Sequence, residues 1–143
     1  MGSLSILYAD DDEDDCLIFR EILADLQFTG KVAIVNDGKQ AMVKVNLGTN
    51  HITHFFLDIN MPYKNGIECL DEIRLMEIYK VTPIIMLTSE VDQKSIDKCF
   101  KKGASRYMVK PNSFLKFKVM MNTILTTDSE NFREHVKTNF LIS

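Results

Sequence analysis

Four short apolar runs in this 143-residue chain each end in polar residues that can handle phosphate or a metal ion. Alternation of such runs with amphipathic helical patterns constrains the fold strongly, because parallel strands need helical crossovers between them. The carboxyl ends of parallel strands meet at one edge of the sheet, where open α/β sheets bind their ligands. The residues that end the four runs are Asp10 and Asp11, Asp58, Thr88 and Ser89, and Lys110.

The hydrophobic periodicity predicts five strand–helix units and therefore an α/β fold, with a parallel sheet covered by helices on both faces. The runs at 55–57 and 84–87 are apolar without alternation, as strands that are buried on both sides should be. The first helix is expected to end at Thr29-Gly30 as its C-cap, and the fourth helix at Gly103.

Composition and charge exclude several classes of function. The net charge is −3 and there is no basic block, so no direct nucleic-acid binding is expected. The longest apolar stretches are about five residues, far below the ~20 that a membrane span requires. No signal peptide is visible, and the three cysteines are widely spaced without a CxxC pair. These features predict small, buried cysteines and a cytoplasmic location.

An acidic run begins where the first strand ends. Two carboxylates about 4 Å apart repel by roughly 4 kcal/mol at an effective dielectric of about 20, and Asp58 across the crevice adds to this. A magnesium ion relieves such repulsion, because it prefers oxygen ligands and usually takes one or two carboxylates. We therefore predict that Asp10 and Asp11 serve a metal site. Asp12 is predicted to cap the following helix, and residues 13–15 to be a solvated first turn.

Asp58 is the predicted nucleophile. A carboxylate can attack phosphorus to give an aspartyl phosphate, and phosphoryl transfer then needs mainly positioning and charge neutralisation. Lys110 is predicted to supply a positive charge and Thr88 a hydroxyl group for the phosphoryl oxygens. The backbone N–H of Ser89, near the start of a helix, could bind a further oxygen.

The histidines do not suggest a metal site. His51 and His54 are three residues apart but precede the third strand, at the edge opposite the carboxylates. They are expected to be surface or capping residues, and His135 in the tail is uninformative.

With these residues in this order, the chain resembles the receiver domain of bacterial two-component response regulators, of the single-domain kind found in chemotaxis and phytochrome signalling. The resemblance covers about residues 4–127. It rests on Asp10-Asp11, on Asp58 within the segment Leu57-Asp58-Ile59-Asn60-Met61-Pro62, on Gly66, on Thr88-Ser89 and on Lys110-Pro111. It implies a flavodoxin-like (βα)5 fold with strand order 2-1-3-4-5.

The resemblance also implies a set of roles. Asp58 is phosphorylated by a partner histidine kinase or histidine phosphotransfer protein. Mg²⁺ is bound directly by Asp11, Asp58 and the backbone carbonyl of Asn60, and by Asp10 through water. The Lys110–Pro111 peptide bond is expected to be cis.

A switch is part of the same expectation. On phosphorylation Thr88 moves toward the phosphoryl group and Tyr107 swings inward, which repacks the surface around the fourth helix, fifth strand and fifth helix. The alternative for Tyr107 is an amphipathic strand residue with a solvated hydroxyl group. Asn60 and Glu90 occupy positions where the family tunes the lifetime of the phosphate. Tyr8 departs from the usual aliphatic residue, which is expected to change packing but not chemistry.

The predicted organisation is a receiver domain at 4–127 and a short C-terminal tail at 128–143, with no output domain. Such a chain is expected to act by binding a downstream protein target, as a monomer or weak dimer. Residues 140–142 of the tail, Phe-Leu-Ile, could pack on the domain, join a dimer or fray.

Two other functions fit parts of the pattern. A phosphatase of the haloacid dehalogenase type also combines an Asp nucleophile, a Thr or Ser, a Lys and magnesium. Here, however, the acid pair precedes the nucleophile and the second residue after Asp58 is Asn60 rather than an acid. A pseudo-receiver that never turns over phosphate would act only as a scaffold. The favoured prediction is a signalling switch that catalyses only its own phosphorylation and dephosphorylation.

Overall fold

A six-stranded parallel sheet forms the centre of the computed structural model, which describes residues 3–48 and 50–143. The strand order is β2-β1-β3-β4-β5-β6, so the flavodoxin-like fold and the order 2-1-3-4-5 are confirmed, with one strand added at the β5 edge. The strands are β1 Ser5–Ala9, β2 Lys31–Val35, β3 His54–Leu57, β4 Ile84–Thr88, β5 Arg106–Val109 and β6 Leu141–Ile142. The helices are α1 Glu13–Asp25, α2 Gly38–Leu47, α3 Gly66–Leu75, α4 Gln93–Lys101, α5 Phe114–Thr126 and the short α6 Lys137–Phe140.

Helices cover both faces of the sheet and create two apolar cores. On one face, Leu7, Phe55 and Met86 pack with residues of α2, α3 and α4. On the other face, strand residues pack with α1 and α5. The central strands β3 and β4 are buried along their whole length, which explains why their sequences do not alternate.

Side-chain caps fix where the helices begin. Asp12 accepts hydrogen bonds from the backbone N–H groups of Asp14 and Asp15, which confirms its predicted role as the N-cap of α1. The same kind of capping starts four further helices. Their N-cap residues are Asp37 for α2, Asn65 for α3, Asp92 for α4 and Ser113 for α5.

The predicted end of α1 at Thr29-Gly30 is wrong. The helix ends at Asp25, and Gln27, rather than a glycine, adopts the left-handed conformation with φ 56°. The backbone N–H of Phe28 turns back to the carbonyl of Leu23 at 2.9 Å. Leu26 and Phe28 both pack against the α1–α5 core, so burial of these two side chains decides the turn. Gly103 does adopt a left-handed conformation after α4, as predicted.

The C-terminal tail packs on the domain, one of the outcomes that the sequence left open. Phe132 is buried in the α1–α5 core, and Phe140 is buried on the opposite face of the sheet. The chain therefore wraps around the edge of β5. There β6 pairs with β5 in parallel register, with Tyr107 opposite Leu141 and Met108 opposite Ile142.

The structure tests the expectations for the cysteines and for the Lys110–Pro111 bond. Cys69 and Cys99 are buried and Cys16 is half-buried, and all three are free thiols. No peptide bond within the described ranges is cis, so the expectation of a cis Lys110–Pro111 bond is wrong. Because a tertiary amide lowers the preference for trans to about 0.5–1 kcal/mol, local packing selects the isomer at such a bond.

Within residues 3–48 and 50–143, no helix has the length and apolar character needed to cross a membrane.

His54 is buried, contrary to the expectation of a surface or capping histidine. Its ring Nδ1 lies 3.0 Å from the hydroxyl of Thr53, and its Nε2 has no partner among the described residues. The ring meets Phe132 edge-on, at a centroid distance of 6.5 Å. Residues from the tail thus enclose a side chain that precedes the tail by about 80 positions, a contact that no local pattern contains.

The buried His54 predicts a specific loss of stability in acid. Burial lowers the pKa of His54 to about 4 from an ordinary value of 6.5. Between these values the unfolded chain binds more protons, so the free energy of unfolding falls as the pH falls, by at most about 3 kcal/mol. We expect His54→Asn, which keeps a group that can bond to Thr53, to flatten the pH dependence of stability between pH 7 and 4. Urea denaturation across this range is the measurement.

His51→Asn is the matched control, because His51 is exposed. It should retain the slope of the unchanged protein. If the unchanged protein and the His54 variant gave parallel curves, the burial of an uncharged His54 would be contradicted.

Phe140 predicts how firmly the tail is attached. Its side chain is 2% exposed, so Phe140→Ala removes a large buried group. We expect it to lower the free energy of unfolding by roughly 2–3 kcal/mol, less than the usual 3–5, because the tail can undock locally. In the Phe140→Ala variant, the backbone amides of residues 137–142 should exchange hydrogen faster than those of the other strands. Leu141→Ala, at the neighbouring position in β6, where the side chain is 46% exposed, should have little effect on either measurement. Equal effects of the two variants would contradict the packing described above.

Candidate functional site

The backbone of the sheet continues past the strand ends and holds the predicted site residues in place. Each of three functional residues donates its backbone N–H to a carbonyl on a neighbouring strand, as the next step of the parallel ladder would require. A side chain that follows a buried strand therefore emerges at a defined point of the carboxyl edge. The hydrogen bonds are Asp10 to Val35 at 3.0 Å, Asp58 to Ala9 at 2.9 Å and Lys110 to Thr88 at 2.8 Å.

The three predicted acids meet at this edge. One carboxylate oxygen from each of Asp10, Asp11 and Asp58 lies within 4.8 Å of the other two. Asp10 and Asp58 are buried, whereas Asp11 is exposed at the mouth of the crevice. This cluster offers only oxygen ligands, which are the ligands that a hard divalent cation such as Mg²⁺ prefers. The chemistry of the donor set therefore fits the metal that the sequence predicts.

Lys110 lies among the acids. Its ammonium group is 2.7 Å from Asp10, 2.7 Å from Asp15 and 3.2 Å from Asp58, and its side chain is 12% exposed. Burial acts to lower the pKa of Lys110, but hydrogen bonds to Asp10 and Asp15 outweigh burial and raise the pKa above its ordinary value. Lys110 is therefore a fixed positive charge beside Asp58.

Asp15 is the residue whose position the sequence interpretation missed. It was assigned to a solvated first turn, and instead its carboxylate binds the Lys110 ammonium. Side chains in a helix point back toward its N-terminus, so the third residue of α1 can reach over the end of β1. The Asp12 cap fixes where α1 begins and therefore the direction in which Asp15 points. Its partner Lys110, however, lies 95 residues away, and no local pattern indicates it.

Asp58 combines burial with a nearby like charge. Burial raises the pKa of the Asp58 carboxyl, and the charge of Asp10 raises it further, while Lys110 and the hydroxyl of Thr88 oppose the rise. One carboxylate oxygen accepts the backbone N–H of Ile59 at 2.8 Å, and the other faces Lys110. The Asp58 carboxylate is thus held by hydrogen bonds in a place where added positive charge stabilises it.

Tyr8 makes a polar contact in the site, whereas the sequence predicts that it alters only packing. Its hydroxyl group donates a hydrogen bond to Asp10, and its ring is buried beneath the crevice. Burial raises the pKa of Tyr8, and the charge of Asp10 adds to this, so the phenol keeps its proton. Asp10 also accepts the backbone N–H of Asp12 at 2.9 Å.

The residues around Thr88 form the other wall of the crevice. Thr88 is buried, and its hydroxyl accepts the backbone N–H of Glu90 at 3.3 Å. Ser89 is exposed, and α4 begins only at Gln93, so the expected position of Ser89 near a helix start is wrong. The side-chain amide of Asn60 donates to the carboxylate of Glu90, which joins the two positions expected to tune phosphate lifetime.

Tyr107 is buried, and the alternative of a solvated hydroxyl group is wrong. Its hydroxyl donates to the backbone carbonyl of Glu90 at 2.8 Å. Its ring lies 6.2 Å from the ring of Phe140, between centroids, and Phe140 in turn contacts Phe100 of α4. The predicted switch residue is therefore covered by the tail.

Gly66 allows the chain to pass directly against the backbone of Asp58. A Cβ atom at this position would lie 1.9 Å from the backbone carbonyl oxygen of Asp58. The N–H of Gly66 donates to the carbonyl of Ile59 at 2.9 Å. Only glycine permits this close approach, which explains the glycine eight residues after Asp58.

Comparisons with known proteins agree with this fold and site. The sequence model of the response regulator receiver domain matches residues 6–122. The chemotaxis protein CheY of Pseudomonas aeruginosa is 32% identical over 108 residues, which are 76% of this chain and 85% of that protein. The chain therefore belongs to the response regulator receiver domain family of two-component systems.

Solved structures place the fold in the same group. The CheX–CheY–BeF3–Mg complex from Borrelia burgdorferi includes a chain with TM-score 0.73 and 25% identity, over 87% of this chain and 90% of that one. The phosphorylated cyanobacterial phytochrome response regulator RcpA has TM-score 0.81 and 23% identity, over 89% of this chain and 97% of that one. The latter similarity is one of fold.

Lys110 provides a direct test of the charge balance in the crevice. Lys110→Met leaves three carboxylates near one another without their cation, and breaking a buried ion pair typically costs about 3–5 kcal/mol. We expect roughly 3 kcal/mol lower stability at pH 7.5. The loss should shrink toward pH 5. The pKa of Asp58 is raised by burial and Lys110 opposes the rise, so the folded variant takes up a proton at Asp58 more readily and is stabilised as the pH falls. Urea denaturation measures both effects.

Lys116→Met, at an exposed position of α5, is the matched control and should change stability little at either pH. A Lys110 variant that is as stable as the unchanged protein at pH 7.5 would show that Lys110 does not balance these charges.

Proposed function

We propose that this chain is a phosphoacceptor switch, in which a carboxylate oxygen of Asp58 accepts a phosphoryl group from a phosphohistidine of a kinase or phosphotransfer protein. The observation that supports this most strongly is the placement of Asp58 beside Lys110 and the acid pair, within a chain of the receiver family. The P–N bond of the donor breaks as the bond between Asp58 and phosphorus forms, and the imidazole nitrogen takes up a proton.

Magnesium is the cofactor that we propose for this transfer. Asp11, Asp58 and the backbone carbonyl of Asn60 would hold the ion, with Asp10 acting at longer range. When bound, it supplies positive charge to the phosphoryl oxygens and offsets repulsion among the acids. Two structural relatives support a metal at such a site by their contents, because one is bound to Mn²⁺ and one contains Mg²⁺ with BeF3.

The chain's own residues perform the remaining tasks. Asp58 is the nucleophile, and its backbone hydrogen bond to Ala9 keeps it at the strand end. Lys110 neutralises the charge of an incoming phosphoryl oxygen without a change of protonation, since its raised pKa keeps it cationic. The Thr88 hydroxyl and the Ser89 backbone N–H are the remaining donors proposed for the phosphoryl group.

The proposed output is a change in a protein-binding surface. A phosphoryl group can shift the conformation only through contacts that differ between the two states. Thr88 and Tyr107 are the proposed moving parts, and Glu90 connects them, because it bonds to the hydroxyl groups of both. A downstream protein that binds near α4 and β5 would meet the tail, which is packed on this surface through the buried Phe140.

This function makes the chain a signalling protein rather than an enzyme with multiple turnovers. It would catalyse only its own phosphorylation and dephosphorylation, in the cytoplasm, and act through proteins rather than through nucleic acid or membranes. The buried acids, hydroxyl and ammonium are all in reach of one another, which favours a phosphorylated switch over a pseudo-receiver scaffold. Asn60 is bonded to Glu90 and is not an acid, which disfavours a phosphatase of the haloacid dehalogenase type.

Phosphorylation of the purified protein tests the proposal. With Mg²⁺ and a small phosphodonor such as acetyl phosphate, intact-mass spectrometry should show the addition of one phosphoryl group. Asp58→Asn should abolish the addition, because an amide cannot act as the nucleophile. Asp37→Asn is the matched control, since Asp37 is as buried as Asp58 but caps α2, a role that asparagine fulfils equally well.

The outcomes separate the competing functions. Modification of the Asp58 variant to the extent of the unchanged protein would refute the assignment of the nucleophile. Multiple-turnover hydrolysis of a phosphate ester would favour the phosphatase. Failure of the unchanged protein to bind magnesium or to accept phosphate would favour the scaffold.

A further inference from the structure

Three protein donors surround the carboxylate of Asp10, a residue of the proposed metal site. One carboxylate oxygen of Asp10 accepts the backbone N–H of Asp12. The other accepts a hydrogen bond from the Tyr8 hydroxyl and lies 2.7 Å from the Lys110 ammonium. A carboxylate has about four lone-pair sites, so three are already in use. The side chain of Asp10 has no exposed surface, in contrast to the exposed Asp11.

The Tyr8 hydroxyl is held in this position by the packing of its ring. The ring is stacked on Phe19 of α1, with centroids 4.2 Å apart and planes inclined by 27°, and Phe19 in turn meets Phe56 edge-on. Tyr8 itself is 1% exposed. Because the ring cannot turn away without opening the α1–α5 core, its hydroxyl group is a permanent donor to Asp10.

We propose that Tyr8 is a positioning residue that directs the charge of Asp10 away from a bound cation and so weakens the affinity of the site for Mg²⁺. The inference rests on the proposed function, because it concerns the same metal site. A hydrogen bond to an ionised acceptor is strong, and its donor competes with a metal ion or a metal-bound water for the same oxygen. Asp11 and Asp58 then provide most of the attraction for the cation.

Two other donors share Asp10 but do not account for this effect. Lys110 is also bound to Asp15 and Asp58, so its charge acts on the whole crevice rather than on Asp10 alone. The N–H of Asp12 binds the other carboxylate oxygen and belongs to the turn that enters α1. Tyr8 is the donor that a single substitution can remove while the ring, and hence the packing on Phe19, remains.

The test is a magnesium titration by isothermal calorimetry at pH 8, without a phosphodonor. Tyr8→Phe should lower the dissociation constant for Mg²⁺ by about threefold to tenfold, which corresponds to the loss of one competing hydrogen bond. Tyr79→Phe is the matched control, because Tyr79 is equally buried but its hydroxyl faces the backbone N–H of Ile52, outside the acidic cluster. Its dissociation constant should equal that of the unchanged protein.

A double-mutant cycle separates positioning from a general effect on the fold. In an Asp10→Asn background, Tyr8→Phe should change the Mg²⁺ affinity by less than about twofold, since the hydroxyl would no longer act on a carboxylate. An effect of Tyr8→Phe that persists in the Asp10→Asn background would overturn the inference. So would a Mg²⁺ affinity of the Tyr8→Phe single variant that is unchanged or weaker.

The same titrations distinguish failure of the inference from failure of the proposed function. If the unchanged protein and Tyr8→Phe bind Mg²⁺ equally well, Tyr8 has no such role and the metal site stands. If only Tyr8→Phe binds at millimolar concentration, the inference is supported. If neither binds, both the inference and a magnesium-dependent switch are wrong.

Discussion

The ammonium of Lys110 and its three carboxylate neighbours form the interaction on which the rest of the site depends. The three acids are Asp10 after β1, Asp15 in α1 and Asp58 after β3. Without a cation between them, their charges would repel one another. One ammonium group only partly balances this charge. Burial of Asp58 and the nearby charge of Asp10 raise the pKa of Asp58, and Lys110 opposes the rise. Charge balance, rather than any single contact, therefore links the proposed metal site to the protonation of Asp58.

The backbone ladder is what makes this balance possible. Charges of the same sign are brought together only because a large apolar sheet fixes their Cα positions, and the buried strands β3 and β4 supply that rigidity. The close approach of Gly66 to Asp58 belongs to the same design, since the loop after β3 has to fold back against the strand end. The packing of the apolar sheet thus offsets the repulsion among the clustered acids.

The tail shows how far the fold extends beyond the five strand–helix units. Residues 128–143 cross from one face of the sheet to the other, with Phe132 in one core and Phe140 in the second. The tail also packs against His54 in β3 and Tyr107 in β5. The segment is structurally continuous with the receiver fold, and it lies on the surface proposed to respond to phosphorylation.

Much of this protein follows from its sequence alone, because strands buried on both faces and helices with capping residues leave strong local patterns. The parallel sheet with helices on both faces, the Asp12 cap and the meeting of Asp11, Asp58 and Lys110 at one edge belong to this group. The strand order was implied by the family resemblance. The tertiary structure alone decided other features, and each depends on a partner that is distant in the chain or on a detail of burial. They are the ion pair of Asp15 with Lys110, the hydrogen bond of Tyr8 to Asp10, the burial of His54, the end of α1 and the sixth strand. Periodicity reports which face of an element is apolar, but it contains no information on which polar atom a neighbouring element will place beside it.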